Sequence, residues 1–497
     1  MNLTATIHDH PDDAVAVISR GRTTTYGELR AQVARLAGGL RSLGLETGDR
    51  VGIVAGTNWY FTVSYLAILH AGLVAVPLNP TDPPPAIRRE LGAVGARGLV
   101  VSPTGRAVLL DGSVESLPTL DHVVVTEGAD RDSRALLDDL LAHEPIDAVE
   151  VDDADLATLI FTSGTAGAPK AAMLTHGNLR SNLEQLEAQP GREIGPSDVV
   201  LGVLPLFHIF GLNVALMGAL RAGATILLIE RFDPVSALEA IARHGVTVVS
   251  GAPTMWAAWA QLPDLPPDGF ATVRLAASGA AKLDPSISTT MRERFGLVVG
   301  EGYGLTEASP VVTSSAGLEV KLGSIGAPLP GVQVRLVDPE GGDVLVGDPG
   351  EIWVRGPNVF AGYWDDPEAT ANALTPDGWL RTGDIAVVDD SGSLFIVDRA
   401  KDLIIVSGFN VFPAEVEEIL LEHPGVEAAA VVGVAHPYTG EAVKAYVVVD
   451  PGHDIEEDEV IDFCASHLAR YKCPSKVMFV DEIPTGLAGK VLRRALQ

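Results

Sequence analysis

Residues 162–170 read Thr-Ser-Gly-Thr-Ala-Gly-Ala-Pro-Lys and follow directly on the apolar run at 156–161. Gly164 and Gly167 permit positive φ and turn backbone amides inward. The hydroxyls of Thr162, Ser163 and Thr165 and the ammonium of Lys170 add donors around the same small volume, an arrangement suited to a polyphosphate. A Ser/Thr/Gly loop taken alone is an ordinary solvated turn, and this one lacks the Gly-Lys-Ser/Thr ending of a Walker A loop. The stretch at 300–307 supplies more: Gly302 and Gly304 allow close backbone approach, Tyr303 offers an aromatic face, Thr306 a hydroxyl and Glu307 a hard oxygen ligand for a magnesium ion bridging phosphates. Asp384 sits in a Thr-Gly-Asp turn where a carboxylate could meet paired ribose hydroxyls. Two further segments are Asp398-Arg399 through Ser407-Gly408-Phe409-Asn410, and the Gly-Leu-Ala-Gly-Lys run ending at Lys490.

These residues are set in a chain of 497 with a formal net charge of −30, which excludes a general nucleic-acid or anionic-membrane surface, since such binding runs on clustered Lys and Arg. A polyanionic substrate must therefore meet local cations. Lysine occurs only at 170, 282, 321, 401, 444, 472, 476 and 490, so a lysine inside a motif-like segment stands out. Two cysteines, Cys464 and Cys473, are too few for a disulfide framework and lack metal-site spacing, which fits a reducing, cytoplasmic setting. The amino terminus has no apolar signal core. The most hydrophobic stretch, 60–78, is broken by His70, Gly72 and Pro77, so a buried helix followed by a strand is expected rather than an integral membrane segment.

Apolar content of 47% in so long a chain predicts two or more packed domains. Thr25 to Glu28 reads as a capping box opening a helix on which Leu29, Val33, Leu36 and Leu40 share a face. Short apolar strands at 51–54, 73–76, 99–101, 122–125, 201–204, 225–229, 246–250 and 273–277 alternate with helical segments, which predicts α/β layers with largely parallel sheets. Around 325–397 the texture changes to short strands punctuated by Gly, Pro and Asp, as expected for a small antiparallel or barrel-like subdomain. From 400 onward a compact α+β unit is expected, with a helix opened by Pro413, strands near 428–434, 443–449 and 476–480, and a helix near 457–469.

In their order along the chain, the five segments resemble those of the adenylate-forming superfamily of acyl-CoA synthetases, aryl-CoA ligases, luciferase and nonribosomal adenylation domains, from Tyr26 to Lys490. The resemblance implies an α/β fold: a large N-terminal domain of two layered sheets plus a small β-barrel, residues 1–399, followed by a small mobile α+β domain, residues 400–497. It implies a ligase using ATP, CoA and Mg2+. Thr162 to Lys170 would hold the β and γ phosphates, Thr306 and Glu307 phosphate and magnesium with Thr165 as a second metal ligand, and Tyr303 would stack on adenine, with Gly279, Ala280, Gly302 and Gly304 around the nucleotide. Asp384 and Arg399 would bind ribose. Lys490 would contact the carboxylate and α-phosphate oxygens. Lys401 occupies the hinge position, and Ser407, Gly408 and Phe409 would swing in beside the pantetheine arm. His208 would line the acyl site, continued by Gly211, Leu212, Thr254, Met255 and Ser278. Ala166, Ala171, Ala281 and the run at 486–488 depart from the common pattern, the last bearing on how the Lys490 loop is posed.

The resemblance is nearest to bacterial fatty acyl-CoA ligases, so a medium- or long-chain fatty acid is the expected acid, with the protein a monomer or homodimer. Two alternatives keep the chemistry: an acyl-AMP ligase loading an acyl carrier protein, and a ligase for aryl or other carboxylic acids. A silent acyl- or nucleotide-binding protein on the same scaffold is disfavoured by the joint presence of Glu307, Asp384, Arg399 and Lys490.

Overall fold

The computed structural model describes residues 1–109, 114, 116–127, 135–162, 169–399, 402–406, 409–436, 439–468, 470–485 and 491–496. The chain forms two compact units, Met1–Gln333 with Val354–Leu380, and Val334–Trp353 with Arg381–Gln497.

In the first unit one sheet has seven strands in the order Ala135–Leu136, His122–Val125, Gly98–Val101, Arg50–Val54, Val74–Leu78, Leu156–Thr162 and Lys170–Thr175. All neighbours are parallel except the last pair, in which Thr162 stands opposite Lys170. The two ends of the 163–169 loop are thereby pinned side by side at the sheet edge. The helix Trp59–His70 is apolar on every face and buries all but one of its residues, as a helix inside a layered domain must. The capping box is formed: the Glu28 N–H donates to Thr25 Oγ1 and the Thr25 N–H to Glu28 Oε2.

The second sheet runs Ala327–Pro328, Val311–Ser314, Val299–Gly304, Leu275–Ser278, Val248–Gly251, Val199–Gly202, Thr225–Leu228, Val15–Ser19 and Arg22–Thr25. Its central six strands, Val299–Gly304 through Val15–Ser19, are mutually parallel. Parallel strands deliver their carboxyl ends to one side of a sheet, where ligand-binding loops collect. Here that side carries the segments at 205–211, 252–255, 279–280 and 302–307. Gly251 is in register with Ser278, and Ser278 with Glu301. Fully buried Trp256 and Trp259 fill the core beneath, with Phe270, Met291 and Leu283.

The barrel-like segment is a four-stranded sheet of Gln333–Val337, Gly350–Arg355, Leu380–Val388 and Leu394–Arg399, neighbours in chain order and carried largely by the second unit. The carboxyl-terminal part of that unit is α+β. The long antiparallel pair Val426–His436 and Gly440–Val449 is joined by Lys476–Phe479, with the helices Pro413–Leu421 and Glu457–His467 packed around a core that includes Val431, Val447, Val460 and Cys464. Among the described residues no helix is long and apolar enough to cross a membrane.

Candidate active site

Glu307 lies in the short 3-10 turn Thr306–Ala308, immediately beyond the strand Val299–Gly304. The glycines of that strand are steric necessities: a Cβ on Gly304 would stand 2.1 Å from the Pro310 carbonyl oxygen, and one on Gly300 2.7 Å from Ala316 Cα. Ser309 adopts φ 67° to complete the turn. Four buried amide side chains then fix it. Asn213 donates to the Ser309 carbonyl at 2.8 Å, Asn358 to the Ala308 carbonyl at 2.9 Å, and Asn182 to the Val311 carbonyl at 2.8 Å while accepting from the Val311 N–H. Gln185 bridges Asn182 and Asn358. These bonds hold the turn from several directions and so specify one position for it, while the buried Asn213 Oδ1 has no hydrogen-bond partner among the described residues.

Lys170 begins the strand that leaves the candidate phosphate loop. Its ammonium stands 3.7 Å from Asp366 and 5.3 Å from the Tyr363 ring centroid. The Tyr363 hydroxyl donates to Glu307 Oε1 at 2.7 Å. Lys170 and Glu307 are thus brought to two sides of one aromatic ring. Burial, followed by the neighbouring Glu307 charge, pushes the Tyr363 phenol pKa upward, so it remains a donor. Thr162 Oγ1 reaches the Lys170 carbonyl at 3.4 Å, while Ser163, Gly164, Thr165 and Gly167 lie outside the described residues. Tyr303 and Thr306 are half-buried in the first unit with Gly302.

His208 closes a turn after Val199–Gly202, its N–H donating to the Pro205 carbonyl at 3.1 Å. A Cβ on the following Gly211 would come within 2.4 Å of the Pro205 carbonyl oxygen, so glycine is required for this fold-back. The imidazole is exposed, yet the protein around it lowers its pKa from the usual value by desolvation. From Phe210 to Met217 the chain is a π-helix, a wide turn often found at functional sites, and it buries Leu212. The Phe210 ring closes on Gly279, where a Cβ would lie 3.1 Å from two ring atoms. Met255 and Ser278 are buried, Thr254 and Ala280 exposed, and Ala280 holds φ 73°. Positive φ in a residue with a Cβ stores strain of a kind that collects at functional sites. The Ser278 hydroxyl has no hydrogen-bond partner among the described residues.

In the second unit, Asp384 and Arg399 are register partners on adjacent antiparallel strands. Gly383, at φ 70°, donates to Glu351 Oε1, and the Thr382 hydroxyl donates to the Ile352 carbonyl while accepting from the Asp384 N–H, so the turn presenting Asp384 is tied down. For Arg399 and Phe409 the backbone alone is described. Lys401, Ser407, Gly408 and Lys490 lie outside the described residues. The flanks of the 486–490 segment pair with each other through Thr485 and Val491. Beyond them Arg493 Nη2 donates to both Glu417 carboxylate oxygens at 2.8 Å, and Nη1 reaches Asp402 at 3.3 Å.

Sequence reasoning missed Tyr363, Asp366 and the amide set. The Gly-Tyr-Trp-Asp-Asp-Pro run at 362–367 was the available signal, since an aromatic beside an acidic helix cap suggests a held loop.

The chain matches the AMP-binding enzyme family over residues 3–364 and the AMP-binding enzyme C-terminal domain over 415–490. It is 39% identical to a feruloyl-CoA synthase of Amycolatopsis sp, over 97% of this chain and 94% of that protein. It is 36% identical to a long-chain-fatty-acid–CoA ligase of Yersinia pestis, over 98% and 91%. The solved structure of ATP-bound MatB from Rhodopseudomonas palustris superposes with a TM-score of 0.91 at 36% identity, covering 100% of this chain and 98% of that one.

Proposed function

The chain belongs to the AMP-binding enzyme family, as an adenylate-forming acyl-CoA ligase, and we propose that it activates a medium- or long-chain fatty acid. A carboxylate is a poor acyl donor because its leaving group would be oxide. Attack of a carboxylate oxygen on the α-phosphorus of ATP breaks the bond to pyrophosphate and leaves acyl-AMP. The CoA thiolate then attacks the acyl carbon and AMP departs. Both steps bring anions together, so catalysis is positioning plus charge compensation.

The observation that carries this reading is the convergence of Lys170 and Glu307 on Tyr363, directly after a segment whose Ser/Thr/Gly sequence suits a phosphate. Lys170 would bind the β and γ phosphates with Thr162, Ser163, Gly164, Thr165 and Gly167. A magnesium ion fits at Glu307: the carboxylate is a hard oxygen donor preceded in sequence by Thr306, and Mg2+ commonly takes one or two carboxylates with phosphate oxygens and water completing its shell. When bound, the ion would neutralise charge on the transferring phosphoryl group. Tyr303 would stack on adenine, Asp384 and Arg399 would hold ribose, and Lys490 would stabilise the α-phosphate. Residues 400–497 would pivot at Lys401 to bring Ser407 to Phe409 to the pantetheine.

The apolar character of Phe210, Leu212 and Met255, on the segments that follow the parallel strands, supports a hydrocarbon acid. A second reading, a flat aryl acid, is favoured by the Phe210 ring closing on Gly279 and by the feruloyl-CoA synthase relative. Pyrophosphate release over a panel of fatty and aryl acids, with and without CoA and with mass detection of the thioester, tests both. The proposal expects the highest kcat/KM with fatty acids of medium or long chain, and a clear preference for aryl acids would replace it with the second reading.

A further inference from the structure

The segment 360–366 touches the two halves of the phosphate site at once. Its backbone runs along the strand Lys170–Thr175: Trp364 N–H donates to the Ala171 carbonyl, Met173 N–H to the Gly362 carbonyl and Ala361 N–H to the Met173 carbonyl, at 2.8, 2.9 and 3.0 Å. On its other side Phe360 N–H donates to the Glu307 carbonyl at 2.9 Å, and the Tyr363 hydroxyl to the Glu307 carboxylate at 2.7 Å. We infer that this segment is a strut setting the separation between Lys170 and Glu307, with Tyr363 its positioning residue for Mg·ATP. The inference rests on the phosphate-binding reading above.

The strut is itself held. Tyr363 N–H donates to Thr370 Oγ1 at 2.9 Å, and the Phe360 ring meets the Tyr363 ring edge-on at 4.9 Å. Asp366 caps the helix Pro367–Ala373 by accepting from the Ala369 N–H at 2.8 Å, which fixes the carboxylate that faces Lys170. The ammonium is therefore placed by a carboxylate and a ring face, and the Glu307 carboxylate by the hydroxyl of that same ring. Neither placement needs ligand present, so the charge pattern that meets a metal–triphosphate is preorganised.

Tyr363→Phe keeps the ring and its packing but removes the hydroxyl. Equilibrium binding to the full-length protein of the α,β-methylene analogue of ATP with Mg2+, and separately of AMP, reads the effect without turnover. The expected result is about tenfold weaker Mg-analogue binding, partly recovered at high Mg2+, with AMP affinity within twofold of the parent. Asp366→Asn, which keeps the helix cap but discharges the partner of Lys170, should weaken the analogue and spare AMP in the same way. Unchanged analogue binding in Tyr363→Phe, or equal loss of analogue and AMP, would overturn the strut while leaving the functional reading intact. A parent protein that binds no Mg-analogue would overturn both.

Discussion

Asp384 and Arg399 face each other across adjacent antiparallel strands, although only the resemblance of two separate motifs linked them in the sequence. One strand pair therefore delivers a carboxylate-bearing and a guanidinium-bearing residue to neighbouring positions in the register.

Removing the carboxylate should weaken nucleotide binding without disturbing the sheet. Asp384→Ala is expected to raise the Kd for AMP ten- to a hundredfold, the loss of hydrogen bonds to a charged acceptor. The corresponding loss should be several-fold smaller for 2′,3′-dideoxy-AMP, measured on the same variant. Equal losses for the two nucleotides would remove Asp384 from the ribose site.

Glycine positions around the site should be intolerant of a single methyl group. Gly304→Ala would drive a Cβ into the Pro310 carbonyl and Gly211→Ala one into the Pro205 carbonyl, against backbone that cannot swing away. Each should cost on the order of 1–3 kcal/mol, visible as a lowered Tm. Gly304→Ala should lose Mg·ATP affinity first and Gly211→Ala acid affinity first.

Acid should loosen the amino terminus. His176 is buried, its Nδ1 accepts from the Leu3 N–H at 3.1 Å, and burial lowers its pKa to about 4. A depressed imidazole pKa means the unfolded chain binds more protons between these values. The stabilisation is full above the unfolded value near 6.5 and is lost as pH falls toward 4, up to about 3 kcal/mol. Denaturant titrations from pH 8 to 4.5 should show this slope, and His176→Gln should flatten it. Glu90 works in the opposite sense: burial and Asp82 raise its carboxyl to about 7, so its contribution fades as pH rises from 4.5 through 7. Glu90→Gln should therefore stabilise the protein at pH 8 more than at pH 5.

The two half-reactions should separate by residue. Lys490→Ala is expected to lose acyl-AMP formation by about a hundred- to a thousandfold yet convert supplied acyl-AMP to thioester. Lys401→Pro, with φ fixed at the hinge, should retain adenylation and lose thioester formation. Equal loss of both steps in each folded variant would contradict domain alternation.

Local signals made much of this legible. Alternating apolar strands and helices announced parallel sheets, Pro413 opened its helix, and the capping box at Thr25 and Glu28 formed as read. The glycines at 302 and 304 marked close approach, and the structure supplies the carbonyls they approach. Strand limits were displaced by about two residues near 201, 246 and 273: the apolar run extends past the end of the ladder at 202 and begins before it at 248 and 275. Tyr363 stayed hidden for a different reason. Its hydroxyl matters because the chain at 360–366 returns to the edge of the strand Lys170–Thr175, a long-range pairing with no periodicity to betray it. Asn182 and Gln185 lie far from Asn213 and Asn358 in the sequence, and only packing brings all of them, buried, around one turn. The π-helix at Phe210–Met217 carries no sequence signature distinct from an ordinary apolar helix.

Exchange of labelled pyrophosphate into ATP, followed in the absence of CoA, tests the central claim most directly. If the chain makes acyl-AMP as a discrete intermediate, label should enter ATP only when a carboxylic acid and Mg2+ are both present, and CoA should not be required. Label that fails to enter with any acid, or that enters equally without one, would contradict adenylation as the first step.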